Sequence, residues 1–472
     1  MPRRTIRPRR TIRVGTAVLA LALAALPGTA QVGRPEHLAA ISAGYKASFV
    51  CSNWFNAGIS PERTEADDLR GTYSELNPLF ARLPAEIDQA ARRVTIRYAR
   101  DMPPRVAAWR PSLGCTLLPI GAALENTRLL PALSGAPPEL GASDRRDWPM
   151  GDRRAAAPPK GDTRALQRAI TDAFDRRTYA QGSETTAVIV VQDGRIVAER
   201  YRGDFDMHRS QRTWSVAKSI AGSMIGAAVQ QGVIRTDQPA PVPEWQRPGD
   251  PRSTITFDHL LRMASGLHSD FAGNRTDDLY FGGVAVADQI AAWPLVAPPG
   301  TRFRYANNDT LAAVRALQHA LGDGEESRLF PFRALLWKIG MTRTVPETDW
   351  RGHFILSSQV WTTARDMARL GLLYQNDGLW NGERILPSGW RDYVGRLGPA
   401  QPASGGGYGA AWWTFPEDSG IPKDAIVARG NRGQFLAVVP SRKLVIVRRG
   451  FDGTGMNFDA DAFVEDVVGA LR

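Results

Sequence analysis

The chain has 472 residues, of which 43% are apolar and 23% charged. It is therefore long enough to bury two or three structural units and too apolar to be disordered. Its formal net charge is +11, but six of the positive charges are arginines within the first thirty residues, where no acidic residue occurs. The charge on the rest of the chain is ordinary, and no RNA-recognition motif, zinc finger or clustered basic helix accompanies it, which argues against a nucleic-acid partner.

Residues 1–30 have the three parts of a secretory signal. The arginines precede an apolar run from Val14 to Leu26, and Gly28-Thr29-Ala30 supplies the small residues of a cleavage site. The apolar run is too short to span a bilayer, which takes about 20 residues. We predict a cleaved signal peptide at 1–30, with a retained anchor as the alternative. The mature protein is then periplasmic or secreted, with no stable membrane anchor.

Cys51 and Cys115 are the two cysteines of the chain. An even number of cysteines in an exported protein favours a disulfide. On the chain-entropy model, a disulfide that closes the loop of about 64 residues between them stabilises the fold by about 4 kcal/mol. Two buried free thiols are the alternative.

Composition also divides the rest of the chain. Residues 134–163 are rich in Pro, Gly, Ala and charged residues and have no apolar periodicity, which is typical of a linker or a long surface crossing. We expect a small N-terminal module at residues 31–133, with both cysteines and a strand near Val94–Tyr98, and a larger domain at residues 164–472.

Two hairpin patterns frame the larger domain. The β-branched run Thr185–Val191 is followed by Asp193-Gly194, a favoured turn pair, and by Arg195–Tyr201. Near the C-terminus, Phe435–Val439 and Leu444–Arg448 flank a second turn before a helix-like tail. Strands at both ends with helical patterns between them predict an α+β fold, in which one antiparallel sheet is built from both ends of the domain around a helical insertion.

The strongest chemical motif is Ser215-Val216-Ala217-Lys218, at the start of an apolar helix. The i, i+3 spacing places the serine hydroxyl beside the lysine amine on one helical face, so the serine gains a local base. Lysine is scarce here, with six lysines in the chain, which makes this one more informative. An N-capping serine followed by a surface lysine is the alternative.

Tyrosine commonly assists a Ser-Lys pair in proton transfer. Tyr374-Gln375-Asn376 continues a helical apolar pattern, so core packing explains it better. Tyr305-Ala306-Asn307 follows a Pro-Pro-Gly turn about 90 residues after Ser215. We therefore predict Tyr305 as the third catalytic residue.

These motifs resemble those of the serine β-lactamase and penicillin-recognising superfamily, specifically its class C-like branch, which includes 6-aminohexanoate-dimer hydrolase and the family VIII esterases. Ser215 and Lys218 match its first motif, and Tyr305 and Asn307 match its second. The resemblance covers residues 165–472 and implies a β-lactamase/transpeptidase-like sheet flanked by helices, with an inserted helical domain. The cysteine-bearing module resembles the N-terminal part of exported members.

The resemblance implies acyl transfer. Ser215 would attack a carbonyl, Lys218 and Tyr305 would move the protons, and water would hydrolyse the acyl-enzyme. Backbone N–H groups of Ser215 and of the last strands would form the oxyanion hole. By similarity to the dimer-hydrolase branch, Asn431 supplies the second donor, in the turn Gly430-Asn431-Arg432-Gly433-Gln434. Gly430, Gly433 and Gln434 of this turn, together with Asn307, are predicted to support the site.

One departure from the family pattern concerns its third motif, which usually begins with Lys or His two residues before a Gly. The matching stretch here is Ala428-Arg429-Gly430. A β-lactam carboxylate thus loses a usual partner, unless Arg429 or Arg432 replaces it. Four tryptophans are candidates either for the pocket or for the core: Trp214, Trp361, Trp412 and Trp413.

The sequence therefore predicts an exported serine hydrolase for a small-molecule ester or linear amide, with no cofactor and no metal. A β-lactamase or peptidoglycan peptidase is one alternative. A non-catalytic ligand-binding protein with the same fold is another. The oligomeric state is not indicated by any pattern in the chain.

Overall fold

A computed structural model of the chain describes residues 35–134, 138–269, 276–453, 456 and 458–471. The predicted signal peptide, residues 1–30, lies outside the described residues. The helices of the described part are α1 (Pro35–Ala57), α2 (Pro61–Thr64), α3 (Asn77–Phe80), α4 (Leu140–Asp144), α5 (Thr163–Asp172), α6 (Val216–Gln230), α7 (Phe257–Leu261), α8 (Asp277–Tyr280), α9 (Val286–Ala292), α10 (Asn307–Ala320), α11 (Glu325–Pro331), α12 (Ala364–Gln375), α13 (Trp390–Gly395) and α14 (Ala460–Ala470). The strands are β1 (Ala85–Asp88), β2 (Arg93–Ile96), β3 (Arg105–Arg110), β4 (Gly114–Leu117), β5 (Thr185–Gln192), β6 (Arg195–Tyr201), β7 (Gln211–Arg212), β8 (Val345–Pro346), β9 (Val360–Thr362), β10 (Leu379–Trp380), β11 (Glu383–Arg384), β12 (Trp413–Thr414), β13 (Ile426–Gly430), β14 (Gln434–Val439) and β15 (Leu444–Gly450).

A six-stranded antiparallel sheet forms the centre of the fold, in the order β12-β13-β14-β15-β5-β6. The late strand β15 pairs with the early strand β5, with Ile446 opposite Val190. Both hairpins lie where the sequence predicts them. In the first, Asp193 and Gly194 both have positive φ, +50° and +79°, as a type I′ turn requires. The α+β class and the sheet built from both ends of the domain are confirmed.

The central strands are buried on both faces because helices cover each side of the sheet. Along β5, Ile189 and Val191 join the same hydrophobic cluster as α6 and α12. Their neighbours Val188 and Val190 join the cluster of α5 and α14 on the other face. This alternation, with apolar residues in both registers, is what a sheet between two helical layers needs.

The N-terminal module consists of α1 packed on a four-stranded sheet in the order β1-β2-β3-β4. Cys51 of α1 and Cys115 of β4 are joined by a disulfide, so the predicted pairing is confirmed. The bond links the helix to the edge strand of its sheet.

The module packs closely against the larger part of the chain. The ring of Tyr45 lies 4.3 Å from that of Phe281. The buried carboxylate of Glu347 accepts hydrogen bonds from the Ser52 hydroxyl, at 2.6 Å, and from the Cys115 N–H, at 3.1 Å. Burial raises the pKa of Glu347 to about 7. The module therefore shares its interior with the larger part, although the predicted domain limits themselves stay predictions.

The segment predicted as a linker or surface crossing is fixed to the larger part where it is described. Trp148 is 5% exposed, and its indole N–H donates to the carbonyl of Gly194 at 2.8 Å. Arg369 donates to the carbonyls of Pro149 and Gly151. Residues 138–163 thus follow the surface with specific contacts.

Among the residues that the structure describes, no helix is both long enough and apolar enough to cross a membrane.

Replacing both disulfide cysteines, Cys51→Ala with Cys115→Ala, is expected to lower the free energy of unfolding by about 4 kcal/mol, because the unfolded chain regains the entropy of an open loop. Thermal denaturation of the wild-type and double-variant proteins measures this as a Tm lower by several degrees. A double variant that melts with the wild type would contradict the stabilising role of the bond.

Candidate active site

Ser215 lies at the N-cap of α6, directly after a strained residue. Trp214 has φ +50°, which is rare for a bulky side chain and is typical of functional sites. The Trp214 ring is packed by the guanidinium of Arg212, at 4.2 Å, and by the ring of Phe49, at 6.0 Å. This packing holds the sharp turn that leaves Ser215 half-exposed on the wall of a cavity.

Lys218 lies one helical turn after Ser215 and is 1% exposed. Its Nζ is 3.1 Å from Ser215 Oγ, 2.6 Å from Asn307 Oδ1 and 2.8 Å from the carbonyl oxygen of Ser357. Burial lowers the pKa of Lys218 to about 7, while the nearby Asp309 opposes that shift. A substantial fraction of Lys218 is therefore neutral at physiological pH and able to accept the serine proton.

Tyr305 lies on the cavity wall just before α10. Burial raises the pKa of its phenol to about 12, although the nearby Ser215 side chain opposes that shift. The Tyr305 phenol is thus protonated and uncharged at physiological pH. At the first residue of α10, the Asn307 amide donates to Thr276 Oγ1 at 3.2 Å, which orients its carbonyl oxygen toward Lys218.

The end of β13 passes directly beside the serine. A Cβ placed on Gly430 would lie 2.4 Å from the Thr213 carbonyl oxygen and 3.2 Å from the backbone nitrogen of Ser215. Only glycine permits this approach. The next residue, Asn431, lines the cavity, and its side-chain oxygen accepts the N–H of Arg432 at 2.8 Å.

The last two residues of the predicted supporting turn lie behind the cavity wall. Gly433 has φ +77°, and a Cβ there would collide with the guanidinium of Arg448. Gln434 is buried and donates to the carbonyl of Gly450, while Arg449 Nε donates to its side-chain oxygen at 2.6 Å. Both residues contact the turn and the sheet rather than the cavity.

The cavity beside Ser215 has a volume of about 570 Å³. Its walls are mostly aromatic side chains and glycine backbone, with one ion pair. The lining residues are Tyr73, Ser215, Tyr305, Ser404, Gly405, Gly406, Trp413, Arg429, Gly430, Asn431 and Asp461. Of the four candidate tryptophans, Trp413 lines the cavity and the other three are buried in the core.

The two arginines near the third-motif position point to different places. Arg429 lines the cavity, where Asp461 pairs with it. Arg432 is buried and donates to the carbonyls of Asp68, at 2.6 Å, and Asp67, at 2.7 Å, in the N-terminal module. Ala428 is fully buried. Arg429 is therefore the one of the two arginines that can meet a ligand, and its charge is already balanced.

Asp144, Asp152 and His208 form the group among the described residues whose spacing could accommodate a metal ion. Arginines already pair with both carboxylates, Arg343 with Asp144 and Arg369 with Asp152. The group lies outside the cavity lining and fits a structural ion-pair network.

Three residues near the serine escape sequence reasoning. Ser357 acts through its backbone carbonyl, which leaves no side-chain signature. Tyr73 belongs to the N-terminal module and to no motif. Asp309 is buried two residues after Asn307, and burial raises its pKa to about 7; an acid on the inner face of α10 is a signal that could have identified it.

The family model for beta-lactamase matches residues 168–448, and the chain belongs to this family of penicillin-recognising serine hydrolases. A curated relative, the 6-aminohexanoate-dimer hydrolase of Paenarthrobacter ureafaciens, is 25% identical over 325 residues, covering 63% of this chain and 80% of the relative. The fold is similar to that of EstCE1, a hydrolase with promiscuous acyltransferase activity (TM-score 0.53, 14% identity, 65% and 98% of the two chains). It is also similar to that of a family VIII carboxylesterase (TM-score 0.52, 16% identity, 66% and 98%). The predicted fold and superfamily are confirmed.

Gly430→Ala is expected to lower kcat at least about 100-fold, because the new methyl group displaces the backbone beside Ser215 and small misplacements of reacting groups are costly. Steady-state kinetics on an ester substrate measure the loss. Gly203→Ala is the matched control, since a Cβ at Gly203 meets nothing within 4 Å. Similar activities of the two variants would contradict a close approach at Gly430.

Proposed function

We propose that this protein is an exported serine hydrolase that cleaves an ester or linear amide bond through an acyl-enzyme on Ser215. One observation carries the proposal: a fully buried lysine with a pKa of about 7 lies 3.1 Å from the serine hydroxyl, at the wall of a cavity. A surface lysine after an N-capping serine would be exposed and charged, so that alternative lacks support.

In the acylation step, Ser215 Oγ attacks the substrate carbonyl carbon and its proton passes to the neutral amine of Lys218. The resulting ammonium is stabilised by Asn307 Oδ1 and the Ser357 carbonyl, which both face Nζ. The negative oxygen of the tetrahedral intermediate would accept the N–H groups of Ser215 and Asn431. Asn431 is the second donor because it follows Gly430, and Gly430 lies against the backbone nitrogen of Ser215.

The leaving group needs a proton as the C–O or C–N bond breaks. Tyr305 lines the cavity together with Ser215 and keeps its own proton at neutral pH, so it is suited to donate that proton, and Lys218 then reprotonates the phenolate. In deacylation, water attacks the acyl carbonyl and its proton passes to the neutral amine of Lys218. As the bond to Ser215 Oγ breaks, Tyr305 donates a proton to that oxygen and Lys218 reprotonates the phenolate, which regenerates Ser215 and releases the acid.

Esters and linear amides are favoured over β-lactams. A β-lactam carries a carboxylate, and a charge-assisted hydrogen bond to it is worth about 1.5–3 kcal/mol. Arg429 is the arginine at the cavity, and Asp461 already neutralises it. The curated relative is named a 6-aminohexanoate-dimer hydrolase. Two amino acids in a linear dimer are joined by an amide bond, so this name supports the linear-amide arm of the proposal.

Export is supported by the disulfide between Cys51 and Cys115, because such bonds persist in oxidising compartments. The arginine-rich, apolar segment at the N-terminus supports the same conclusion.

The proposal is tested with Ser215→Ala on three substrate types: a neutral ester, a linear amide with a free carboxylate, and a chromogenic cephalosporin. The wild type is expected to turn over the ester or the amide faster than the cephalosporin. The variant is expected to lose both turnover and covalent labelling by a fluorophosphonate, because its nucleophile is gone.

Ser219→Ala is the control. Ser219 lies in the same helix as Lys218 but does not line the cavity, and its hydroxyl donates to the carbonyl of Ala411 at 2.6 Å. Labelling retained in Ser215→Ala would refute the nucleophile. A cephalosporin preferred by more than tenfold would overturn the substrate assignment.

The kcat/KM on a neutral ester is expected to rise with pH through about 7, because Lys218 must lose its proton to act as the base and its pKa is about 7. Below that pH the ammonium predominates and activity falls tenfold per pH unit. Asp309 has a pKa of about 7 and, in its ionised fraction, raises the pKa of Lys218. Asp309→Asn removes that contribution, so the acidic limb should move to lower pH. Initial rates between pH 5 and 9 measure the acidic limb of the wild type and of the variant. A limb that moves to higher pH in the variant would contradict this assignment of the base.

A further inference from the structure

The cavity beside Ser215 is not built by the beta-lactamase-family part of the chain alone. Tyr73 is part of its lining, yet it lies about 95 residues before the start of the family match at residue 168. It follows the short helical turn Glu65–Leu69. Its carbonyl accepts the N–H groups of Leu76 and Asn77, both at 3.0 Å, which fixes the loop that carries it.

The Tyr73 ring is held by other aromatic rings. It packs edge-on against Tyr45 of α1 at 5.9 Å and in a tilted arrangement against Phe281 at 6.1 Å. Tyr45 is fully buried and stacks on Phe49. The half-buried ring of Tyr73 thus ends an aromatic cluster that continues into the core, so little rotational freedom is left to lose when a ligand contacts it.

The position of Tyr73 relative to the serine is also fixed through the backbone. Arg432 donates to the carbonyls of Asp67, Asp68 and Arg70, just before Tyr73 in the chain. Arg432 directly follows Asn431, which lines the cavity with Ser215. One buried guanidinium therefore holds the Tyr73 loop against the turn at the end of β13.

We propose that Tyr73 is a specificity-determining residue whose ring contacts an apolar, preferably aromatic, group of the substrate. The inference rests on the proposed hydrolase function. Tyr73, Tyr305 and Trp413 provide three aromatic surfaces in one cavity, and Ser404-Gly405-Gly406 leaves room along another part of its wall. The one charged pair there is neutralised internally. Such a wall suits a flat apolar group next to the bond that is cleaved.

The test compares three esters: methyl acetate as the small reference, methyl phenylacetate with a ring in the acyl group, and benzyl acetate with a ring in the leaving group. In Tyr73→Ala, the kcat/KM of at least one aromatic ester should fall about tenfold relative to methyl acetate, the size expected when an aromatic contact and its buried area are lost. The ester affected identifies the part of the substrate that Tyr73 contacts. Tyr73→Phe should keep the wild-type ratio within twofold.

Phe55→Ala is the matched control. Phe55 is a half-buried aromatic residue of the same module, its ring packs on Trp109 at 6.1 Å, and it does not line the cavity. Its replacement should leave the ratios between the esters unchanged. If Tyr73→Ala does not fold, as judged by its Tm, Tyr73→Leu retains bulk against Tyr45 and removes the aromatic face, and its ratio should fall in the same direction.

The inference would be overturned if, in the folded Tyr73 variant, the kcat/KM of both aromatic esters relative to methyl acetate stayed at the wild-type value. This includes the case in which all three esters are cleaved more slowly by the same factor. Ratios that fall equally in Phe55→Ala would overturn it too, because the effect would then reflect the stability of the module. A wild-type protein that neither cleaves an ester or amide nor is labelled by a fluorophosphonate would instead refute the proposed function, and this inference with it.

Discussion

The site depends on the cost of burying one amine. Lys218 Nζ is removed from water, so it needs polar partners in every direction from which it can donate. Those partners come from three separate segments: Ser215 before α6, Asn307 at the start of α10, and the Ser357 carbonyl before β9. The start of α6, the start of α10 and the segment before β9 are therefore tied together at this one atom. The same burial brings the pKa of the amine to about 7.

Local chemistry made much of this site predictable. Ser215 and Lys218 are neighbours because one helical turn brings them together, and that geometry depends on four residues alone. The first hairpin forms because Asp193 and Gly194 tolerate positive φ. Tyr305 stands out for a related reason, since the turn before it ends the preceding segment and leaves the tyrosine outside any apolar periodicity.

The remaining features depend on contacts between distant parts of the chain. Arg429 lies in β13 and Arg432 in the turn that follows it, and their spacing in the sequence does not tell which one meets the N-terminal module. No periodicity marks the loop of Tyr73 as a neighbour of Ser215. A backbone acceptor such as the Ser357 carbonyl is common to every residue type, so the sequence carries no trace of it. The predicted division into module and domain says nothing of how closely the two pack.

The contact between Arg432 and the carbonyl of Asp67 joins residues 365 positions apart. A ribosome adding about 5–20 residues per second needs roughly 20–70 s to make the intervening chain. During that interval the carbonyls that Arg432 will satisfy have no such donor, and the turn that carries Asn431 does not yet exist. The active-site wall is thus among the last features to assemble, and a chain cut short near its end would carry the serine and lysine without a finished cavity around them.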